Sequence, residues 1–344
     1  MQAMSVNSTA AKMPRRPHIP SEFHRLNSFR AILYASRAIG AFAISSVLAG
    51  FIVMQDWPLV VRVVCATPLI VLSGHGLHMM GFSGHEGIHF NFHRNKRWSA
   101  LLAILVSAPV PSYMVIGYGV THWGHHRFTN RAPDPDTHIY APLKNFWSRV
   151  FWSRSHGTRT YFKDTILLAL RRLPPKEGRI PLPDATLTWL ARVNIAVVTV
   201  WVVFYVWLTV RYPLLGLVGV WLPAAFAYYF SGLRAYVEHA GTTVGPFRDT
   251  RSYTHWIYTL LFAGNNFHIE HHLFPAVPCY NLGAVHRYLK EQGVLAQAGA
   301  DVQETFLGIY RFTTSRYLYP APTPVGADDD DPFLHAPPAV ASEA

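Results

Sequence analysis

Four long apolar runs constrain the fold of this chain more than any other feature. They cover residues 31–54, 59–82, 193–210 and 214–233, and only three or four residues separate the members of each pair. A helix of about 20 apolar residues is long enough to cross the hydrocarbon core of a bilayer. Because such short turns force consecutive helices to run antiparallel, the pattern predicts an all-α integral membrane protein whose four transmembrane helices form two hairpins.

The composition agrees with this prediction. The chain is 50% hydrophobic and 14% charged, whereas a soluble domain usually contains about 25% charged residues. No nucleic-acid motif accompanies the net charge of +11, and 27 of the 30 Lys and Arg residues lie in residues 1–30, in residues 83–192 and after residue 233. Since basic loops concentrate on the cytoplasmic side of a membrane, we expect both termini and the loops between the hairpins to be cytoplasmic.

A fifth apolar stretch, at residues 98–120, is interrupted by Pro109 and Pro111. Proline in a helix interior removes hydrogen bonds. A single crossing here would place His85 and His122 on opposite sides of the membrane and would invert the later basic loop. We therefore expect a re-entrant segment, which enters the membrane buried against protein and returns to the same side.

The other segments divide the chain into three parts. Residues 1–30 are predicted to be cytosolic and partly disordered, residues 31–318 to form the membrane domain, and residues 319–344 to be a disordered tail rich in Ala, Pro and Asp. Within the membrane domain, the polar residues 127–192 are expected to hold one amphipathic helix at residues 161–173.

Histidine shows the most regular pattern in the chain. There are 19 His and two Cys, and Cys65 and Cys279 form no C-x-x-C metal site. The spacing H-x-x-H-H occurs twice, although the composition predicts roughly 0.06 such triplets per chain. On a helix these three positions share one face, and neutral imidazole is the commonest metal ligand. Eight histidines in all form clusters at predicted membrane–cytosol boundaries: His85 and His89; His122, His125 and His126; His268, His271 and His272.

Eight clustered histidines are too many for one tetrahedral zinc ion and suit two metals. The sequence therefore predicts a cytosolic helical cap that carries a two-metal centre. Alternatives stay open at this point. His85, Glu86 and His89 match the H-E-x-x-H signature of zinc proteases, in which the Glu is the general base. A metal-binding or transport role without catalysis is another alternative, and ordinary interfacial histidines are a third.

The order of the clusters, with membrane hairpins between them, resembles the membrane fatty acid desaturase superfamily, which also contains lipid and carotenoid hydroxylases and ketolases. Residues 265–282 resemble the third histidine box of that superfamily, and residues 125–136 resemble the second. The resemblance implies one more ligand at the cytosolic end of the fourth span, where His239 is the candidate. It also implies two iron ions, with no catalytic residue separate from their ligands: His85, His89, His122, His125, His126, His239, His268, His271 and His272.

Residues around the ligands are expected to orient them. Ligand histidines usually donate their second N–H to a carboxylate or a carbonyl. The candidates for this supporting shell are Asn130, Asp134, Asp136, Glu238, Asn265, Asn266 and Glu270. His75 and His78 lie inside the second apolar run, where they are expected either to line a substrate channel or to hydrogen-bond between helices.

The resemblance further implies an O2-dependent enzyme that introduces a double bond into a fatty acyl lipid. The chain contains no His-Pro-Gly-Gly sequence of a fused cytochrome b5, so electrons are expected from a separate donor such as a ferredoxin. The alternative within the superfamily is hydroxylation or ketolation of a lipid or carotenoid, and the spacing of the boxes does not decide between these reactions.

Overall fold

The structure is a computed structural model that describes residues 16–173, 179–309 and 318–324. It is mostly helical, and four helices in the described part are long and apolar enough to cross a membrane: Ser28–Val53, Leu59–Ile88, Asp184–Arg211 and Pro213–His239. We name these helices α1, α2, α7 and α8. The predicted all-α membrane fold with four spans is confirmed.

The first hairpin consists of α1 and α2. The Asn27 side chain caps α1 by accepting a hydrogen bond from the backbone N–H of Arg30 (3.0 Å). The two helices approach closely at Gly76 of α2, where a Cβ would lie 2.9 Å from the carbonyl oxygen of Ala38. α2 continues six residues beyond its apolar run to Ile88, and this extension carries His85 out of the hairpin.

The second hairpin consists of α7 and α8. Residues Leu217–Trp221 of α8 form a π turn, a feature in which backbone carbonyls lose their usual helical partners. Ser46 of α1 donates to the carbonyl of Gly219 in this turn (2.8 Å), so the hydrogen bond ties the two hairpins together. α8 then runs to His239.

The proline-containing stretch forms two helices, α3 (Lys96–Ser107) and α4 (Val115–Phe128). The break between them contains Pro109 and Pro111, as predicted. The chain leaves and returns on one side, because the imidazole rings of His85 and His122, at the two ends of the segment, have centroids 4.6 Å apart. Its entry into the bilayer stays a prediction.

Two helices follow, α5 (Pro135–Tyr140) and α6 (Phe146–Ala169). The predicted amphipathic helix at residues 161–173 is therefore wrong in its bounds. α6 begins earlier because Asn145 and Ser148 form a capping box at its start. It also packs against α4, α7 and α8, which stabilises a helix that its polar composition did not indicate.

The C-terminal part of the domain is a set of short elements that pack against the ends of α2, α4 and α8. β1 and β2 form a two-stranded parallel pair, with Arg251 opposite Asp301, that the sequence did not predict. The elements are β1 (Arg251–Tyr253), α9 (Trp256–Phe262), α10 (His268–Leu273), α11 (Cys279–Glu291), α12 (Val294–Ala298) and β2 (Asp301–Gln303).

The expectation of disorder from residue 319 is wrong for residues 319–324. Tyr319 is only 2% exposed, and its backbone N–H donates to the Tyr236 hydroxyl (2.8 Å). Thr323 exchanges backbone hydrogen bonds with Asn130 and Ala132. Residues 1–15 and 325–344 lie outside the described residues, so the disorder predicted there is untested.

Candidate metal centre

Four helices bring the nine predicted histidines together. α2 carries His85 in its last turn, His89 directly follows α2, and α8 ends at His239. α4 and α10 carry the two H-x-x-H-H triplets. Seven of the nine side chains are buried, and His126 and His272 are half-buried.

Five of these histidines form the first group: His85, His89, His122, His126 and His271. One ring nitrogen from each lies within 4.8 Å of those of the others. The Nε2 atom of His271 lies 3.0 Å from Nε2 of His85 and 3.0 Å from Nε2 of His126. The Nε2 atoms of His122 and His126 are 2.9 Å apart.

The second group lies beside the first and contains His125, His239 and His272. His268 adjoins it, because its Nε2 atom lies 3.2 Å from Nε2 of His239 and its ring centroid lies 4.6 Å from that of His272. The nine histidines therefore divide into five and four. Each group draws on at least two helices that are distant in sequence.

The arrangement of donor atoms fits metal ions. Nitrogens bound to one ion at about 2.1 Å lie about 3.0 Å apart when they subtend a right angle, and about 3.4 Å apart in a tetrahedron. The short Nε2–Nε2 distances in the first group match the former geometry. In the part of the chain that the structure describes, neither ring nitrogen of His89 nor Nε2 of His272 has a hydrogen-bond partner, although these atoms are buried. Unpartnered buried nitrogens are costly, and a bound cation would satisfy one nitrogen of each ring.

Carboxylates and a backbone carbonyl contact the Nδ1 atoms of several of these histidine rings. Both carboxylate oxygens of Asp134 accept from Nδ1 of His125 (3.0 and 3.1 Å), and Glu86 lies 3.2 Å from Nδ1 of His85. Nδ1 of His239 donates to the carbonyl of Asp249 (2.9 Å). A hydrogen on Nδ1 leaves Nε2 as a free lone pair, so these partners direct Nε2 toward the two groups.

The protonation states also suit metal binding. Burial, reinforced by neighbouring imidazoles, lowers the pKa of six histidines outside the spanning helices well below the usual value, so their lone pairs are available at neutral pH: His89, His122, His126, His268, His271 and His272. His125 is the exception. Burial lowers its pKa, but the carboxylates of Asp134 and Asp136 outweigh that effect and raise the pKa to about 9. A metal that binds His125 must therefore displace a proton from it.

A cavity of about 440 Å³ is lined in part by the histidines. His85 and His122 line it from the first group, and His125, His239 and His268 line it from the second. Residues of α2 and α8 also line it, and those from Trp221 to Ala227 of α8 form an apolar wall. His78 also lines the cavity, and neither of its ring nitrogens has a partner among the described residues. The structure thus favours a channel position for His78.

Comparison with known proteins identifies the family. The family model described as "Fatty acid desaturase" matches residues 57–303. The chain belongs to the fatty acid desaturase family. No curated protein matches the sequence. Membership of this family indicates a membrane-bound oxidoreductase that acts on lipids. The matched segment contains both H-x-x-H-H triplets, His85, His89 and His239.

The supporting residues predicted for this desaturase family member divide into two sets. Asp134, Asp136 and Glu238 lie at the histidines: Oδ2 of Asp136 is 3.8 Å from Nδ1 of His125, and Oε2 of Glu238 is 3.5 Å from Nε2 of His268. Asn130 supports the histidines indirectly, through groups that contact them. Its backbone N–H donates to Asp134 (2.8 Å), and its side chain donates to the carbonyl of Asp249 (2.9 Å).

Within the described part of the chain, the side chains of the other three predicted residues hydrogen-bond to groups other than the candidate ligands. Asn265 donates to the Tyr34 hydroxyl (2.7 Å), and Asn266 donates to the Tyr253 carbonyl (2.7 Å). Glu270 accepts from Ser252 (2.7 Å) and contacts His286 (2.6 Å). These three residues fasten the loop before α10, and α10 itself, to the surrounding elements. Their position next to ligands in sequence was therefore misleading about their contacts.

Sequence reasoning missed some partners of the centre. The Thr129 hydroxyl lies 3.4 Å from Nδ1 of His272, and the carbonyl of Asp249 holds His239. A backbone carbonyl has no sequence signal, and Asp249 lies ten residues from its partner. Thr129 directly follows α4, which carries the second cluster, and this position was the available indication.

The zinc-protease interpretation of Glu86 does not fit this family member. Glu86 is 2% exposed and contacts His85 on the Nδ1 side, away from the converging Nε2 atoms. Its other oxygen accepts from the backbone N–H of Cys279 (2.9 Å) and from Asn91 (3.3 Å). Glu86 therefore fastens the first histidine cluster to α11, and it is not directed at a position where a metal-bound water would need a base.

Proposed function

We propose that the protein is an O2-dependent di-iron desaturase that introduces a double bond into a fatty acyl chain. One observation carries the proposal. Residues of both histidine groups line a largely apolar cavity, together with residues of two membrane-spanning helices. An acyl chain in this cavity would present its methylene groups to two metals at once.

The nine histidines would be the ligands of two iron ions. His85, His89, His122, His126 and His271 would hold one ion, and His125, His239, His268 and His272 the other. Ligand number favours this assignment over a single tetrahedral zinc ion, although imidazole alone does not select iron. With iron bound, the centre supplies the oxidising chemistry that unactivated C–H bonds require.

The side chains of the protein would position the substrate and keep water away. Tyr118 stacks on His122 with ring centroids 4.9 Å apart, and it lines the cavity together with Leu77 and Ala227. These walls would restrict which carbons reach the histidines. Asp134 and Glu86 would keep His125 and His85 in the orientation that the metals need.

Electrons would come from a separate acidic carrier such as a ferredoxin. The half-buried His126 and His272 form part of a small surface pocket that also contains Arg16, Arg127 and Arg131. This pocket contains one histidine from each group, and its arginines are complementary to an acidic partner. The distribution of Lys and Arg supports a cytoplasmic location for this face and for both termini.

Product profiling tests the reaction. The protein is expressed in a bacterial host, and lipids and carotenoids are compared with those of a host that carries the empty vector. We expect new double bonds in acyl chains. Oxygenated lipids or carotenoids without new alkenes would contradict desaturation and support the hydroxylase or ketolase alternative.

A single substitution tests the ligand assignment. His271→Ala removes a nitrogen that lies 3.0 Å from two other candidate ligands, and we expect it to abolish turnover and to reduce iron to at most one ion per chain, while the protein still inserts into the membrane. His156→Ala, at an exposed position on α6, serves as the control and should keep full iron content and activity. Normal iron content in His271→Ala would refute the assignment.

A further inference from the structure

One cationic side chain in the cavity wall is not explained by the metal centre. Arg154, on α6, lines the cavity together with Thr158 and Tyr161 of the same helix. Its guanidinium carbon lies 5.0 Å from the ring centroid of Tyr113 and 5.5 Å from that of Tyr161, and the group interacts with the Tyr113 hydroxyl. Among the described residues, no carboxylate lies within ion-pair distance of Arg154.

Among the described residues, the two carboxylates that line the same cavity face other side chains, although Oδ1 of Asp136 has no hydrogen-bond partner. Glu238 forms an ion pair with Arg234 (2.9 Å), and Asp136 lies against His125. A half-buried guanidinium offers five N–H donors. The Tyr113 hydroxyl accepts from this group, and the aromatic faces satisfy its charge but not its remaining donors. Arg154 therefore has the capacity to accept an anion with two or more oxygens, which is the geometry that guanidinium groups bind best.

The outer surface of α6 indicates where such an anion would enter. Trp147, Phe151 and Trp152 are large exposed side chains on this helix, and aromatic residues of this kind are typical of the membrane–water interface. Phe151 contacts Tyr229 (ring centroids 5.5 Å apart), and Tyr229 lines the cavity. The charged head of a lipid lies at this depth in a bilayer, so it would meet Arg154 as its chain enters the cavity.

The position of Arg154 would let a single ligand contact both its guanidinium and the candidate metal centre. Tyr161 and Tyr118 lie between Arg154 and His122, with ring centroids 5.2 Å apart, and Tyr118 stacks on His122. Each of these side chains borders the same cavity. An acyl chain anchored at Arg154 would therefore pass along these rings to the histidines.

We infer that Arg154, with Tyr113 and Tyr161, forms a binding site for the anionic head group of the acyl substrate, a carboxylate or a phosphate. The inference rests on the proposed function for the identity of the chain, but the binding itself requires neither metal nor turnover. The site sets the distance from the charged head to the carbons that reach the centre.

Equilibrium binding tests the site. Hexadecanoate, hexadecyl phosphate and hexadecan-1-ol, which share one chain length, are titrated into the purified protein in a neutral detergent, with intrinsic tryptophan fluorescence as the readout. We expect at least one anion to bind tenfold or more tightly than the alcohol. Preference for hexadecanoate identifies a free carboxylate as the ligand, and preference for hexadecyl phosphate identifies a phosphate head. Equal binding of all three compounds would overturn the inference.

Variants separate an anion site from a structural arginine. Arg154→Gln should reduce the ratio of anion to alcohol affinity to near one, and Arg154→Lys should retain part of it. Arg159→Gln, at an exposed position on the same helix, is the matched control and should keep the wild-type ratio. If Arg154→Gln does not fold, as judged by its thermal unfolding, the Lys variant decides. A ratio of anion to alcohol affinity in Arg154→Lys that equals the wild-type ratio would refute the role of the guanidinium in anion binding. Anion preference in a protein that produces no alkene would leave this site standing and refute the desaturase proposal.

Discussion

At the scale of single residues, Asp134 supports the candidate centre by accepting four hydrogen bonds. It is fully buried and accepts from Nδ1 of His125 through both oxygens. It also accepts from the backbone N–H groups of Asn130 and Asp136 (2.8 and 2.9 Å). One carboxylate thus fixes a ligand ring and closes the turn after α4.

We expect Asp134→Asn to weaken metal binding by about 10- to 100-fold, the usual cost of losing a carboxylate behind a ligand histidine. The amide cannot accept all of these hydrogen bonds, and it removes the charge that stabilises the proton on Nδ1. Competition with a metal chelator measures the affinity. Asp184→Asn, at an exposed carboxylate paired with Arg179, is the control, and equal affinities in the two variants would contradict the role of Asp134.

The sequence was sufficient to predict the nine histidines that the structure brings together. Helical spacing and the repeated triplet indicated eight of them, and the family resemblance added His239. It was less informative about their partners. Nearness in sequence predicted the contact of Asp134 with His125, but Asn265, Asn266 and Glu270 hydrogen-bond to other groups. Their actual partners, including Tyr34 and His286, are set by tertiary packing that no local pattern encodes.

At the scale of secondary-structure elements, the packing of α4 on α6 determines where the second cluster lies. Gly117 is at the closest approach, where a Cβ would collide with the backbone carbonyl of Tyr161. The backbone N–H of Gly117 also donates to the Thr165 hydroxyl (2.9 Å). A backbone atom cannot move aside as a side-chain end can, so this contact fixes the separation of the two helices.

We expect Gly117→Ala to destabilise the protein by about 1–3 kcal/mol, as overpacking usually does, and to lower the metal content because α4 carries His122, His125 and His126. The thermal unfolding midpoint and the metal-to-protein ratio measure these effects. Gly40→Ala on α1 is the matched control, since the nearest atom to its Cβ is the end of the Ile44 side chain at 3.9 Å. An unchanged midpoint and full metal content in Gly117→Ala would show that the helices separate without cost.

The membrane hairpins and the proline break were predictable because they depend on hydropathy and on backbone chemistry alone. The bounds of α6 were not predictable from its composition. Its stabilising contacts come from Gly232 of α8, whose missing side chain admits Ser153, and from the buried Arg149, whose guanidinium carbon lies 4.1 Å from the ring centroid of Tyr236. Both depend on neighbours far away in the chain.

At the scale of the whole molecule, residues 318–324 extend across the domain next to the centre. The ring centroid of Tyr319 lies 5.7 Å from that of His239, and the carbonyl of Leu318 accepts from the backbone N–H of Gly241 (2.8 Å). Thr323 pairs with the turn that contains Asn130 and Arg131. This segment therefore covers residues that support both α4 and α8.

We expect a chain that ends at residue 317 to lose about 2 kcal/mol or more of stability, since it no longer buries Tyr319, and to release metal faster than the full-length protein. A chain that ends at Pro324 retains every described contact of the segment and should behave as the full-length protein does. Metal release into a chromogenic chelator compares the three. Equal release rates would mean that the segment does not support the centre.

Composition misled the prediction for this segment because Ala- and Pro-rich stretches rarely bury enough surface to order themselves. Here a single aromatic residue, Tyr319, is buried against Tyr140 and Tyr236, with ring centroids 5.2 and 5.9 Å away. The contact needs a surface assembled from three distant parts of the chain. Only the assembled domain reveals it.

The division of the histidines into five and four has a consequence for biosynthesis. The first group includes His271, and the second includes His272 and His268, so neither is complete until the last helices that carry ligands have left the ribosome. The first hairpin is translated long before that point and must wait in the membrane with the donor atoms of His85 and His89 unsatisfied. If the proposed centre binds metal, incorporation would be a late step that follows synthesis of both hairpins. A nascent chain that stalls before residue 268 would present an incomplete imidazole cluster, which quality-control proteases could distinguish from the finished protein.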